Sequence, residues 1–384
     1  MIHQAVTARS GEKSQSGNFS FFLGEKLVIC AGSAPEARAN FVQNKDINLL
    51  EGTAELLTSL PLTQVEIQKF GGFFAKHLAH LLQHEHLSRR MHLLQGDARN
   101  MCEELRSTCT GCDDYTWGGM NTFDVFYNII FRMTMHILGA DEIVDDPVLR
   151  EHTLGLFNVL QKRDPWAKTC FSWLPAPDHY LRIWDGFRLY RVFRRIMRER
   201  RHSGGVSHHD GLHLFAAQET TGVNASWLPV FLSMKPEWKK RAVNEVDAVI
   251  ARYRSSPDQK PADVLATLSL HTWENDFPLL IESCLRECVR LVLRGVFARK
   301  NVSGGDVHLP GAVDGPREVI PDGAFAIYSP QLVHFDRNIY SDPHTFDPGR
   351  YEAHRAEDKK APYAYLGYGA GRHPCSEIVP HLAP

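Results

Sequence analysis

Residues 363–377 read YAYLGYGAGRHPCSE. Glycines at 367, 369 and 371 permit close backbone approach and positive φ, and a single cysteine, Cys375, follows Arg372 and His373. A thiolate is a strong soft-metal ligand, and backbone N–H groups or nearby cations keep it deprotonated. With no second cysteine nearby and only His373 just before it, it is poorly suited to zinc, which takes four ligands. It suits the axial position of an iron whose in-plane donors come from a porphyrin.

Upstream, ESCLRECVRL (282–291) holds Glu287 and Arg290 three residues apart, hence on one helix face. An arbitrary pair at that spacing is solvated. Here the neighbours Cys284, Leu285, Cys288, Val289, Leu291 and Val292 are apolar, so a half-buried pair is expected. A planar guanidinium suits such a site because it bonds a carboxylate and backbone carbonyls together. HFDRNIYSDPHTFDPGRY (334–351) reads as an irregular loop rich in turn residues. Its Arg350 offers a second arginine, able to close a carboxylate–diarginine cluster that pins the loop against the helix.

The rest of the chain is mainly helical. Asn18 to Cys30, NFSFFLGEKLVIC, reads as two short strands around a turn at Leu23-Gly24-Glu25. From about Ala34 to Arg299 a helical period dominates, as in VEIQKFGGFFAKHLAHLLQ, FDVFYNIIFRMTMHIL, YLRIWDGFRLYRVFRRIMRER and EWKKRAVNEVDAVIARY. After Arg299, brief strands and a long meander are expected. The layout is mainly α with a small β part drawn from both ends of the chain. It is expected as a single domain, 1–384, with 18–50 and 296–345 carrying the sheet, 51–295 the helices, and 346–377 the meander and cysteine loop.

Composition narrows the function. With 384 residues, 43% hydrophobic, 23% charged and a net charge of −2, the chain reads as globular, without the basic surplus of a nucleic-acid binder. Eight cysteines in this length do not suggest a secreted disulfide scaffold. No apolar run is long enough to span a bilayer, and the first residues lack a signal-peptide core. A soluble intracellular protein, or the soluble part of something longer, is expected. Cys109-Thr-Gly-Cys112 lacks a second CxxC, Cys284 and Cys288 read as small core residues, and His209 and His213 fall in a loop. HLLQHEHLSRR and YRVFRRIMRERR read as solvated faces, the second also as a basic surface for a partner or an anionic membrane.

Taken together, Glu287-x-x-Arg290, Pro348-x-Arg350-Tyr351 and Tyr368-Gly-x-Gly-Arg-His-x-Cys375 resemble, in order and spacing, the cytochromes P450. The likeness is to eukaryotic sterol 14-alpha-demethylase-like and fungal members. It implies a haem-thiolate monooxygenase fold and activity, with haem b bound through Cys375 and an apolar, lipid-, sterol- or secondary-metabolite-like substrate. It implies electrons from an NADPH-cytochrome P450 reductase-type donor, and residence at the cytoplasmic side of the endoplasmic reticulum, with peripheral membrane association left open. LFAAQETTGVNASW (214–227) resembles the family's central helix, making Glu219 and Thr220 the acid–alcohol pair that moves protons. Ala217 stands where that helix usually has Gly. Arg299 and His373 correspond to positions that hold the haem carboxylates, with Gly369, Gly371 and Arg372 shaping the loop. His86 and Arg90 partly match a further contact of this kind.

The chain departs from the family pattern at Glu377, where Gly or Ala is usual, and it adds only IVPHLAP beyond that point. A fold incomplete after Cys375, without an N-terminal anchor, is therefore expected. Two alternative readings follow: a truncated, catalytically impaired relative with weak or no haem binding, and a Cys/His metal-binding helical protein without haem.

Overall fold

The computed structural model describes residues 17–57, 83–109, 121–138, 140–162, 177–202, 215–310 and 318–374. Two compact units divide them, one formed chiefly by 17–57 and 289–374 and the other by 83–162 and 182–288 where described.

The first unit is organised on a five-stranded sheet. Strands β1 (Phe19–Leu23) and β2 (Lys26–Cys30) form the expected antiparallel hairpin, turned by Gly24 at φ +62°. Further strands are β3 (Ile47–Asn48), β4 (Phe297–Asn301) and, in a separate ladder, β5 (Val307–Leu309) with β6 (Glu318–Ile320). β7 (Phe325–Tyr328) completes the main sheet in the order β1-β2-β7-β4-β3, with only β2–β7 parallel. Both ends of the sequence thus supply strands.

Strand alternation sorts the side chains. Val28, Cys30, Ala298, Phe325 and Ile327 bury one face together with Leu56. Ile29, Ala31, Ala326 and Tyr328 bury the other against Phe41 and Val42 of the helix Pro35–Gln43. That helix opens with Pro35 in its first turn, where a missing N–H costs nothing, and with Glu36 beside its positive end. On β4, the alternation that turns Ala298 to the first face turns Arg299 to the second, toward this helix.

The second unit is helical. Thr122–Ile137 is capped by Asn121, whose Oδ1 accepts from the Phe123 amide at 3.1 Å. Pro147–Lys162 is capped by Asp146, which accepts from the Val148 and Leu149 amides at 2.9 and 3.2 Å. Their core joins Phe131, Met135 and Phe157 to Leu189, Phe193 and Ile196 of the helix Pro177–His202. Phe193 and Ile196 lie within the stretch expected to present a solvated face; its Arg191, Arg194, Arg195 and Arg198 do face outward, but these apolar residues close this core.

The helix His84–Cys109 corrects a second expectation of solvated faces. Arg89 is exposed, yet His86 bonds the Ile137 carbonyl at 3.0 Å. Arg90 donates to the His136 carbonyl at 2.6 Å and to Asp141 at 2.8 Å. Two turns further, buried Asp97 accepts from His136 at 2.6 Å and pairs with Arg132 at 3.3 Å. Helix-end carbonyls need donors, and a sequence period does not show which polar residue supplies them.

Gly52 ends the short helix Leu49–Gly52 against β4. A Cβ there would lie 2.6 Å from the Ala298 carbonyl oxygen and closer still to the Arg299 backbone. Gly52→Ala is expected to cost about 1–3 kcal/mol by overpacking. Gly155→Ala, in an exposed helix interior with nothing within 4 Å of the new Cβ, is expected to add about 0.5–1 kcal/mol. Calorimetric unfolding of the two variants checks the contrast.

Candidate functional site

A helix with an unusual start leads into the site. Pro278–Leu285 winds as a π-helical turn, and Glu245 accepts the free Leu279 and Leu280 amides at 2.7 and 2.9 Å. Cys284 and Cys288 follow on its inner face, wholly buried as expected, and burial pushes both thiols up to about 12. The helix Arg286–Val292 then carries Glu287 and Arg290, each with 0% exposure.

The meander that follows has little regular structure, so its buried carbonyls need donors from elsewhere. Two arginines supply them. Arg290 donates to the carbonyls of His334 and, at 2.8 Å, Pro343. Arg350, on the single turn Pro348–Tyr351, donates to the carbonyls of Ser341 (2.6 Å), Asp342 (3.1 Å) and Thr345 (3.0 Å). Tyr340 lies between the two guanidiniums, its ring centre 4.8 Å from Arg290 and 5.9 Å from Arg350. The positive-φ non-glycine residues among those described, Asp342, Ala356 and Tyr363, all fall in this segment. Such backbone persists only where its surroundings over-determine it.

Glu357 is a member of the cluster that spacing does not reveal. It accepts from Arg350 at 2.7 Å, from Arg355 at 3.1 Å, and from the hydroxyl and amide of Ser341 at 2.7 and 3.2 Å. Burial alone would raise its pKa. The hydrogen bonds from Ser341, Arg350 and Arg355 outweigh that and hold it at about 2.

The loop before Cys375 is a hairpin. β8 (Gly369–Ala370) pairs with β9 (His373–Pro374) around the two-residue turn Gly371–Arg372. Gly371 takes φ +63°, as a glycine at the first central position of such a turn does, and Gly369 takes φ +71°. At Gly371 a Cβ would come within 2.6 Å of Val42 Cγ1. At Gly367 it would strike the Tyr365 hydroxyl and come within 2.8 Å of Val289. Only glycine passes at either point.

The hairpin meets Arg299. This guanidinium is 3% exposed and donates to the carbonyls of Val42 at 3.1 Å and Asn44 at 3.3 Å, at the end of the helix Pro35–Gln43. Its Nε is buried without a partner. Burial, and then the charge of exposed Arg372, lower its pKa to about 10. No carboxylate among the described residues pairs with it. Two like charges beside an unfilled donor and a glycine-lined turn fit the carboxylates of a porphyrin, so these residues suit a haem.

Other expected site residues are placed less fully. Glu219 and Thr220 fall in the helix Phe215–Met234, their side chains outside the described residues. That helix is disturbed further along, at Pro229 and where Ser226 bonds back to the Gly222 carbonyl at 2.7 Å. His373 lies on β9, while its side chain, Cys375, Glu377, Cys112, His209 and His213 lie outside the described residues. Arg90, the partial match for a haem contact, is bonded to Asp141.

Comparison with known proteins agrees with this architecture. A family model described as cytochrome P450 matches residues 206–376. The cytochrome P450 monooxygenase AacuE of Aspergillus aculeatus is 29% identical, over 94% of this chain and 75% of that protein. The cytochrome P450 monooxygenase dmxR5 of Cryptosporiopsis is 26% identical, over 95% and 73%. A sterol 14-demethylase of Arabidopsis thaliana is 26% identical over 69% of this chain and 57% of that protein. These likenesses support membership of the cytochrome P450 superfamily, and the first two relatives named are monooxygenases, a class of oxidoreductases. Haem is the cofactor that this family implies, and a redox partner and hydrophobic substrates are general to it.

Glu357 gives the site an acid limit. Its folded pKa lies below the ordinary 4.5, so its stabilisation is complete above pH 4.5 and is lost as pH falls toward 2. Glu357→Gln is expected to cost about 3 kcal/mol near neutrality, with the difference from the parent vanishing near the acid end. Urea unfolding of both proteins across that pH range measures it.

Proposed function

We propose that the chain is a haem-thiolate monooxygenase that inserts one atom of O2 into an apolar substrate of lipid, sterol or secondary-metabolite type. The second oxygen atom leaves as water, with two electrons and two protons consumed. The observation that carries this reading is the pairing of buried Arg299 with Arg372 at the glycine hairpin that leads to Cys375. Haem b, when bound, supplies the iron at which O2 is activated, its thiolate ligand favouring O–O cleavage.

This chain's residues take the following parts. Cys375 would hold the cofactor's iron through its thiolate. Arg299, Arg372 and His373 neutralise the cofactor's carboxylates, and Gly369 and Gly371 let backbone pass its edge. Glu219 and Thr220 hold and move protons on the central helix. Glu287, Arg290 and Arg350 would fix the frame that supports the cysteine loop.

Electrons come from a separate NADPH-dependent flavoprotein reductase at the cytoplasmic side of the endoplasmic reticulum. Among the described residues no helix is long and apolar enough to cross a membrane. Exposed Arg191, Arg194 and Arg198 on the helix Pro177–His202 offer a basic face for peripheral association.

Expression with haem and a ferrous–CO difference spectrum test the proposal. The parent is expected to give the red-shifted band of thiolate ligation, and Cys375→Ser to abolish it. A parent that folds yet takes up no haem would overturn the assignment in favour of an impaired relative. Arg299→Gln is expected to speed haem loss to apomyoglobin about tenfold, the worth of one charge-assisted hydrogen bond.

A further inference from the structure

His334 is the one wholly buried histidine among the described residues, and the reading of Cys375 gives it no role. It ends the short helix Gln331–His334, just before the meander. Both ring nitrogens are bonded to backbone of distant segments. Nε2 lies 2.9 Å from the Leu366 amide, and Nδ1 lies 3.2 Å from the Arg290 carbonyl. The Leu366 N–H can only donate, so Nε2 must accept, and Nδ1 carries the proton that it gives to Arg290. One tautomer satisfies both bonds.

The same residue is held from two further sides. Its carbonyl accepts from the Arg290 guanidinium, so His334 and Arg290 bond each other reciprocally. Its ring stacks on Tyr365, with centres 5.5 Å apart and planes 26° from parallel. Leu366 in turn immediately precedes Gly367, where no side chain fits, and its carbonyl accepts the Gly369 amide at 3.1 Å. The hairpin that ends at Pro374 starts from this point. The path runs from the Arg290 helix through one imidazole to the root of the cysteine loop.

We propose that His334 is a positioning residue for the loop that leads to the thiolate ligand: by fixing the Leu366 amide to the Arg290 helix, it sets where that glycine loop begins. This rests on the haem-thiolate reading above. Burial and the Arg290 charge press the imidazole pKa down to about 3, so it keeps the accepting nitrogen throughout the pH range of a working enzyme.

The test compares the parent with His334→Phe, which keeps a ring against Tyr365 but loses both bonds, and His334→Gln, whose amide can still accept from Leu366. Two readouts are taken on haem-loaded protein: amide hydrogen exchange at Leu366 relative to β2, and the share of bound haem giving the thiolate-type CO band. In His334→Phe, Leu366 is expected to exchange at least about tenfold faster, with most bound haem losing the thiolate band; His334→Gln is expected to fall between. Parent-like exchange and parent-like ligation in His334→Phe would overturn the proposal. Faster exchange with unchanged ligation would also overturn it, leaving His334 a structural residue only. Should His334→Phe not fold, the same two outcomes in His334→Gln decide. A parent without the thiolate band indicts the haem-thiolate reading instead, a failure visible before any variant is compared.

Discussion

The structure around the site depends on one constraint: a segment with little regular secondary structure turns carbonyls inward, and guanidinium groups supply their donors. From His334 to Thr345 the carbonyls of five residues are taken up by Arg290 and Arg350. A helix or sheet would satisfy such carbonyls internally, but it would also impose its own path on the chain. Arginine, with five donors in a rigid plane, satisfies several at once and leaves the path free. The left-handed backbone at Asp342 and Ala356 becomes tolerable for the same reason, because neighbouring groups hold it from several sides.

That frame is useful because of what it adjoins. The five-stranded sheet fixes Arg299 through strand alternation, and the helix Pro35–Gln43 offers it two terminal carbonyls. Those carbonyls are the negative end of a helix, which moderates the cost of burying a cation there. The same helix end is where Gly371 passes against Val42. Sheet, helix end and hairpin thus converge on one cationic spot, each by a separate packing requirement.

Much of this was legible in the sequence, and the exceptions share a physical cause. Strand hairpin, long helices and buried Cys284 and Cys288 follow from periodicity, because their partners are neighbours in sequence or interchangeable apolar groups. The spacing of Glu287 and Arg290 likewise fixes their common helix face. It cannot show that Glu357 answers Arg350, or that His334 bridges to Leu366, since those pairings depend on how an irregular chain doubles back. The inward turn of Arg90 and His86 was missed for a related reason: polar residues on an amphipathic helix look alike until a neighbouring helix end presents its carbonyls.

Buried arginines of the sheet-bearing unit also separate by how fully their donors are used, and that distinction bears on function. Arg38 gives its donors to the carbonyls of Pro362 and Ser33, and Arg290 and Arg350 are bonded to the meander. Arg299 alone among these four combines a buried unpartnered Nε with a second guanidinium close enough to lower its pKa. A cation placed only for architecture gains nothing from a like charge beside it. The arrangement becomes favourable when an anion joins the pair, and a dicarboxylate cofactor lying along the glycine hairpin meets that requirement where a neutral ligand would leave both charges opposed.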